Sequence, residues 1–363
     1  MPVPPARRLV IKLGSSLVAG EAGPARFARD IAALCAEGRQ VILVSSGAVA
    51  LGRRLLDLPR NARLDQKQAA AAAGQPLLMQ AWRESLAPHG LIPAQLLLTA
   101  QDTEQRRAFL NARGTIDALL KAGAIPIVNE NDSTATAELR VGDNDRLSAR
   151  VAQLSGAELL VLLSDVDGLY EADPRRVPGA RHIDRVAAIT PEIMALAGDS
   201  ASGGLGTGGM RTKLEAARIA AAAGCATLIG SGEGEGALGR LLDGLARGTL
   251  VEATGSPASA YKAWIAGTLA PAGALRIDAG AAAALARGSS LLPSGVLAVD
   301  GSFGRGDCVA LLDPAGQEVG RGLSRYDDGE TQRLLGARGA DIAGRLGYSR
   351  GDELIHRDDL VLR

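Results

Sequence analysis

Residues 203–213 read GGLGTGGMRTK, a run of glycines that ends on Lys213. Closely spaced glycines let backbone N–H groups approach phosphate oxygens. The helical pattern that follows over 210–223 supplies an N-terminus that favours anions. Two familiar phosphate templates do not fit. A P-loop needs glycine directly before its lysine, where this chain has Thr212. The spacing G-x-G-x-x-G is met by Gly204, Gly206 and Gly209, but that pattern must follow a strand. What precedes it here, PEIMALAGDSAS, reads as a short helix and a loop. The run is read as a phosphate-holding loop of another kind, against the alternative of a plain surface loop.

A second lysine stands beside a second small-residue turn: in VIKLGSS, Lys12 lies two residues before Gly14. Lysine is scarce in this chain. Lys12, Lys67, Lys121, Lys213 and Lys262 are the only five among 40 basic residues, and two of them sit at these turns, where a compact point charge suits phosphate. The densest polar stretch is VNENDSTATAELRVGDNDRLSARVAQL. Asn129, Glu130, Asn131 and Asp132 come directly off a strand, and Asp143, Asn144 and Asp145 open the next helix. Helix capping explains one such residue. Seven carboxamides and carboxylates could bind an ammonium group, a divalent metal, or both.

The histidines, His89, His182 and His356, fall outside every one of these clusters, so no Ser-His-Asp set or strong general base is suggested. A kinase acting on a hydroxyl usually needs a base. A carboxylate acceptor does not, being already ionised at neutral pH with a pKa of about 4. Two lysines, backbone amides and Mg²⁺ suffice for phosphoryl transfer, which is mainly positioning and charge stabilisation. The residues favour a kinase that forms an acyl phosphate.

The elements that must position these groups follow a clear pattern up to about residue 252. RLVIKLG reads as a buried strand, and QVILVSSG, LIPAQLLLT, AIPIVNEND, ELLVLLSD and CATLIGSG as further strands. Helical stretches lie between them, among them PARFARDIAALCAEG, 64–87, 143–155 and 210–223. Continuous apolar strands separated by helices imply a mostly parallel sheet covered on both faces. Ligands bind such sheets beyond the carboxyl ends of the strands. The residues there are Gly14-Ser15-Ser16, Ser45-Ser46-Gly47, Asn129 to Asp132, Ser164-Asp165 and Gly230-Ser231-Gly232. A linker, EATGSPASA, then leads into short strand-like pieces (ALRID, GVLAVDG, DCVALLD, EVGRGLSR), one helix in AGAAAALARG and another over about 330–344.

Composition narrows the function classes. With 40 basic and 40 acidic residues the formal net charge is zero, so no global field draws the chain to nucleic acid or an anionic membrane. Aromatics are only 2%, which leaves the aliphatic residues to fill the core. Cys35, Cys225 and Cys308 are too far apart for a zinc or disulfide pattern and read as buried free thiols in a reducing cytoplasm. No apolar run is long enough to span a bilayer.

The motifs VIKLGSSLV, VSSGAVALG, NENDSTAT, VGDNDRLSA, LLSDVDGLY and GLGTGGMRTKL, in that order, resemble the amino acid kinase family. RGSSLLPSGV and the final HRDDLVLR extend the resemblance to members that carry a PUA domain, a small β-barrel named for RNA-modifying enzymes. The resemblance implies an αβα sandwich with a mostly parallel sheet over 1–252, a linker over 253–270, and a PUA domain with a C-terminal tail over 271–363. It implies transfer of phosphate from ATP, with Mg²⁺, to the side-chain carboxylate of L-glutamate. That reaction opens L-proline synthesis and is typically restrained by proline. Members acting on aspartate, N-acetylglutamate or UMP are similar to this chain only in its first domain.

Carried over residue by residue, Lys12 and Lys213 match the two phosphoryl-transfer lysines, and Asp145 the carboxylate that orients them. Lys12, Ser164, Asp165, Thr207, Gly208, Gly209, Met210, Arg211, Thr212 and Lys213 match nucleotide-contacting positions, Arg211 at a variable place. Ser46, Asp132 and Asn144 match glutamate-binding positions. No residue is nominated as a metal ligand. A homo-oligomer, dimer or tetramer, is implied. From residue 256 onward 12 basic face 13 acidic residues, a balance of about −1 that does not favour RNA, although Arg321, Arg325, Arg333 and Arg338 form a candidate patch.

Overall fold

The computed structural model describes residues 2–20, 22–59, 61–134, 144–174, 176–197, 209–268 and 270–362. The chain divides into two compact units, Met1–Pro257 and Ala258–Arg363.

Among the described residues the first unit holds ten strands: β1 (Arg8–Leu13), β2 (Gln40–Ser45), β3 (Ile92–Leu98), β4 (Ala124–Glu130), β5 (Leu159–Ser164), β6 (Leu169–Tyr170), β7 (His182–Ile183), β8 (Arg185–Val186), β9 (Ala226–Ser231) and β10 (Gly248–Val251). Eight of them form one sheet in the order β3-β4-β2-β1-β5-β9-β10-β8, and β6 pairs with β7 as a separate ribbon. From β3 to β9 all neighbours run parallel; β10 runs antiparallel to β9 and parallel to β8. Strands β4 and β5 are buried along their whole length, and β1, β2 and β9 nearly so. This is why they read as continuous aliphatic runs without alternation.

The chain leaves β1 toward β2 on one side and returns to β5 on the other, so the strand order reverses at β1. The crevice outside the carboxyl ends of the strands at such a switch point is where a doubly wound sheet holds its ligand. Five small or polar strand ends expected from sequence belong to β4, β2, β1, β5 and β9, which are consecutive neighbours in the sheet.

Two helices beside β2 approach unusually closely. The helix Ala48–Leu55 meets the long helix Leu64–Leu86 at Gly52 and Gly74. A Cβ on Gly52 would stand 1.8 Å from Ala70 O, and one on Gly74 1.9 Å from Ala48 O. Only glycine permits backbones this close. Beneath them Trp82 is fully buried, with its indole N–H donating to Ser45 Oγ at 2.9 Å, which satisfies the one polar atom of a large core side chain.

The second unit holds a five-stranded sheet of β11 (Gly273–Ile277), β12 (Val296–Gly301), β13 (Cys308–Leu312), β14 (Glu318–Leu323) and β15 (Leu360–Leu362), in the order β12-β11-β13-β14-β15. Among the described residues of this sheet, only β11 and β13 pair in parallel. Its core gathers Leu275, Ile277, Val309, Leu311, Tyr326, Leu334 and Leu354.

One sequence expectation is corrected here. The helix anticipated over 330–344 is broken into Asp328–Leu334 and Ile342–Leu346, with a 3₁₀ turn at Gly339–Asp341. Leu335 turns extended, Gly336 takes φ +70, and a side chain on Gly339 would collide with Asp352 at 2.5 Å. Within the stretch read as linker lies a helix, Pro257–Thr268, with proline at the first helical position, where its missing N–H costs nothing.

Candidate active site

Three charged side chains meet at the switch point although they lie far apart in sequence. Lys12 is the penultimate residue of β1, Asp145 stands in the first turn of the helix Asn144–Ser155, and Lys213 in the first turn of the helix Met210–Ala222. Each is buried. Lys12 Nζ lies 2.7 Å from Asp145 Oδ1 and Lys213 Nζ 3.3 Å from Asp145 Oδ2. Thr212 Oγ1 donates to the same Oδ2 at 2.7 Å, with Gly209 O 2.9 Å from that hydroxyl. A carboxylate at a helix N-terminus is also favoured by the aligned backbone dipoles.

Electrostatics follow from this geometry. Burial alone would raise the Asp145 carboxyl. The charges of Lys12 and Lys213 and the hydrogen bonds from Lys12 and Thr212 overcome that and hold it well below the usual carboxylate range. Lys213 is lowered, chiefly by burial and further by Lys12, against the raising pull of Asp145. Two ammonium groups thus share one carboxylate in a dry setting. The trio carries one net positive charge, suited to a polyanion such as a phosphate chain.

The amino end of the helix Met210–Ala222 adds donors. Gly209 is its N-cap and offers no side-chain cap, so the first-turn N–H groups have no partner of their own helix. Met210 is half-buried and Arg211 exposed, with Arg211 pairing Glu215 at 3.6 Å. Arg211 is thereby held along its own helix by a residue one turn on. Ser164, at the end of β5, is buried and its Oγ accepts from Val166 N at 3.4 Å, while Asp165 is exposed. Thr207, Gly208 and Asp143 lie outside the described residues.

Immediately beside Asp145, Asn144 begins a second set of polar groups. Asn144 Nδ2 donates to Ser46 Oγ at 2.9 Å and to Asn129 Oδ1 at 3.1 Å. Glu130, the last residue of β4, and Asp132, two residues beyond it, are both buried. Because Asn144 and Asp145 are consecutive, the amide cluster and the charged trio are adjoining parts of one site. The structure therefore brings together Lys12, Asp145, Thr212 and Lys213, and next to them Ser46 and Asn144. Among the described residues no three His, Cys, Asp or Glu side chains converge to hold a metal ion.

Sequence reasoning missed Gln75 and Gln95, which continue the amide cluster: Asn129 Nδ2 donates to Gln75 Oε1 at 2.9 Å and Gln75 Nε2 to Gln95 Oε1 at 3.1 Å. The signal available was positional. Ala71, Gln75, Leu78 and Trp82 form one buried stripe of the helix Leu64–Leu86, and a glutamine within an apolar stripe is the informative exception. In the second unit, Arg321 pairs Glu318 at 2.6 Å and Arg325 pairs Glu353 at 2.8 Å, so half of the candidate arginine patch is already engaged by carboxylates.

Comparison with known proteins bears on the family. Residues 7–231 match the model of the amino acid kinase family and residues 273–346 that of the PUA domain. Glutamate 5-kinase of Caulobacter vibrioides (strain NA1000 / CB15N) is 57% identical over 366 residues, covering 98% of this chain and 97% of that protein. Glutamate 5-kinase 1 of Rhizobium meliloti is 53% identical over 363 residues, covering 98% and 92%. Glutamate 5-kinase of Paramagnetospirillum magneticum is 52% identical over 368 residues, covering 99% of each. With a buried lysine pair on one carboxylate at the switch point and a match across the first unit, the chain belongs to the amino acid kinase family, and it carries a PUA domain behind the kinase domain.

Proposed function

We propose that this protein transfers the γ-phosphoryl group of ATP to the side-chain carboxylate of L-glutamate, giving L-glutamyl 5-phosphate and ADP. The observation that carries the reading is Asp145 holding Lys12 and Lys213 on its two oxygens. A carboxylate oxygen of the substrate forms a bond to the γ-phosphorus, and the bond from that phosphorus to the β,γ-bridging oxygen breaks with its electron pair leaving on ADP. No proton need move, which suits a site whose buried charged groups are lysines and carboxylates. Lys12 and Lys213 stabilise charge spread over the transferring group, and Asp145 keeps both pre-placed, so little reorganisation is required.

The first-turn N–H groups after Gly209 hold nucleotide phosphate, with Thr207 to Lys213 as the nucleotide loop and Ser164 and Asp165 beside it. Ser46, Asp132 and Asn144 hold the amino acid, Asp132 against its ammonium group. The donors fit a Mg²⁺ that arrives on the nucleotide: Asp165 offers an exposed carboxylate, and Mg²⁺ in kinases takes few protein ligands beyond the phosphates it neutralises. The reading extends to the first step of L-proline synthesis, with restraint by proline, and to a cytoplasmic homo-oligomer. No helix among the described residues is long and apolar enough to cross a membrane.

The test compares ADP release from MgATP with L-glutamate, L-aspartate and N-acetyl-L-glutamate. Turnover with L-glutamate alone is expected. Turnover with another acid would keep the lysine pair and overturn the glutamate assignment; silence with all three would overturn the kinase reading.

A further inference from the structure

Three buried amides, Asn144, Asn129 and Gln75, run in a line that ends on the exposed Gln95, and one backbone donor sets its polarity. The Glu130 N–H can only donate, and it meets Asn129 Oδ1 at 2.9 Å. The opposite face of that amide, Nδ2, is therefore turned to Gln75 Oε1 at 2.9 Å, and Gln75 Nε2 to Gln95 Oε1 at 3.1 Å. On the near side, only a donor can approach Asn129 Oδ1, so Asn144 presents Nδ2 there at 3.1 Å and to Ser46 Oγ at 2.9 Å. Each amide is fixed in one of its two orientations. The consequence falls on Asn144 Oδ1, which is buried and accepts no hydrogen bond among the described residues.

We infer that Gln75 is a positioning residue for the amino-acid substrate: through Asn129 it holds Asn144 so that a carbonyl oxygen, rather than an NH₂ group, faces the substrate's ammonium. This rests on the proposal that an amino acid binds beside Asn144. Gln75 is 8% exposed, in a stripe with Ala71, Leu78 and Trp82. An apolar side chain there would pack without desolvating an amide. What glutamine adds is the acceptor that Asn129 Nδ2 needs. Without it, Asn129 must tilt to find another partner, and the oxygen that orients Asn144 tilts with it.

The experiment measures KM for L-glutamate and for MgATP in wild type, Gln75→Leu, Asn144→Ala and the double variant. Loss of one buried hydrogen bond predicts that Gln75→Leu raises the glutamate KM about tenfold, with the MgATP KM unchanged. In the Asn144→Ala background the same substitution should add little, because its effect passes through Asn144. Gln75→Glu keeps an acceptor for Asn129 and should restore most of the loss, Gln95 turning its amide to donate. It also serves as the test if Gln75→Leu does not fold. An equal rise in both KM values, an unchanged glutamate KM, additive effects in the double variant, or a Gln75→Glu as impaired as Asn144→Ala would each overturn the inference. Wild-type inactivity on every amino acid would instead remove the substrate reading and the inference with it.

Discussion

Asp145 meets Lys12 at 2.7 Å through one carboxylate oxygen, and that contact joins the end of the central strand to the start of the helix Asn144–Ser155. The other oxygen takes Lys213 and Thr212. A single side chain therefore fixes the relative placement of three segments, reaching Lys213 across 68 residues of sequence and Lys12 across 133.

On this proposal the two lysines should not be replaceable by another cation. An arginine in place of Lys213 keeps the charge but needs a planar fork where the site offers room for a compact ammonium. Lys213→Arg should lower kcat by about 10²–10³, the scale of losing one preorganised charge-stabilising donor, with lesser changes in both KM values. Near-normal turnover would remove Lys213 from the transfer step. Steady-state kinetics with L-glutamate and MgATP decide it.

Asp145→Asn has a structural cost as well as a catalytic one. It leaves two buried ammonium groups without their counter-charge. Breaking a buried ion pair in this way destabilises by about 3–5 kcal/mol. A markedly lower denaturation midpoint is expected, together with loss of turnover. An unchanged midpoint would mean that the trio is not closed in solution.

Thr212 ties the helix Met210–Ala222 to the same carboxylate. Thr212→Val removes a hydrogen bond to a charged acceptor, a loss of about 1.5–3 kcal/mol, while Thr212→Ser keeps it. Thermal melts and kcat should therefore separate the two variants, with serine close to wild type. Equal behaviour of both would place the value of Thr212 in its methyl group.

The pH dependence has a defined sign. Folding lowers the Asp145 carboxyl, so its contribution to stability is fully present above the unfolded value of about 4 and is lost as pH falls through the lower folded value. Lys213 is also lowered in the folded state, which for a lysine is a penalty on the protonated form. That penalty is fully present below the folded value and fades as pH rises toward the unfolded value of about 10.4. Melting temperature measured downward from pH 7 should drop less steeply in Asp145→Asn than in wild type. Phosphate brought beside Lys213 supplies negative charge and favours its protonation. Nucleotide affinity should therefore fall with alkaline pH earlier than an ordinary lysine would allow, and Lys213→Arg should abolish that early fall.

Much of this was readable from the sequence because the strands are buried on both sides. RLVIKLG, QVILVSSG and ELLVLLSD leave little alternative to interior strands, and their polar ends mark the crevice directly. Lys12, Asp145 and Lys213 were visible as charges beside turns. What could not be read depended on partners distant in sequence. The strands Leu169–Tyr170, His182–Ile183 and Arg185–Val186 are two residues each, too short for any periodicity. Gln75 sits in an alanine-rich helix where a glutamine ordinarily faces water, and only the fold places Asn129 against it. The helix expected over 330–344 failed for a related reason: Gly336 and Gly339 answer to local backbone and to Asp352.

The central claim is that an acyl phosphate forms on L-glutamate. Incubation with MgATP, L-glutamate and hydroxylamine should yield glutamyl hydroxamate in step with ADP, and Lys213→Arg should lose both together. ADP released without hydroxamate, or hydroxamate formed from L-aspartate or N-acetyl-L-glutamate instead, would contradict it.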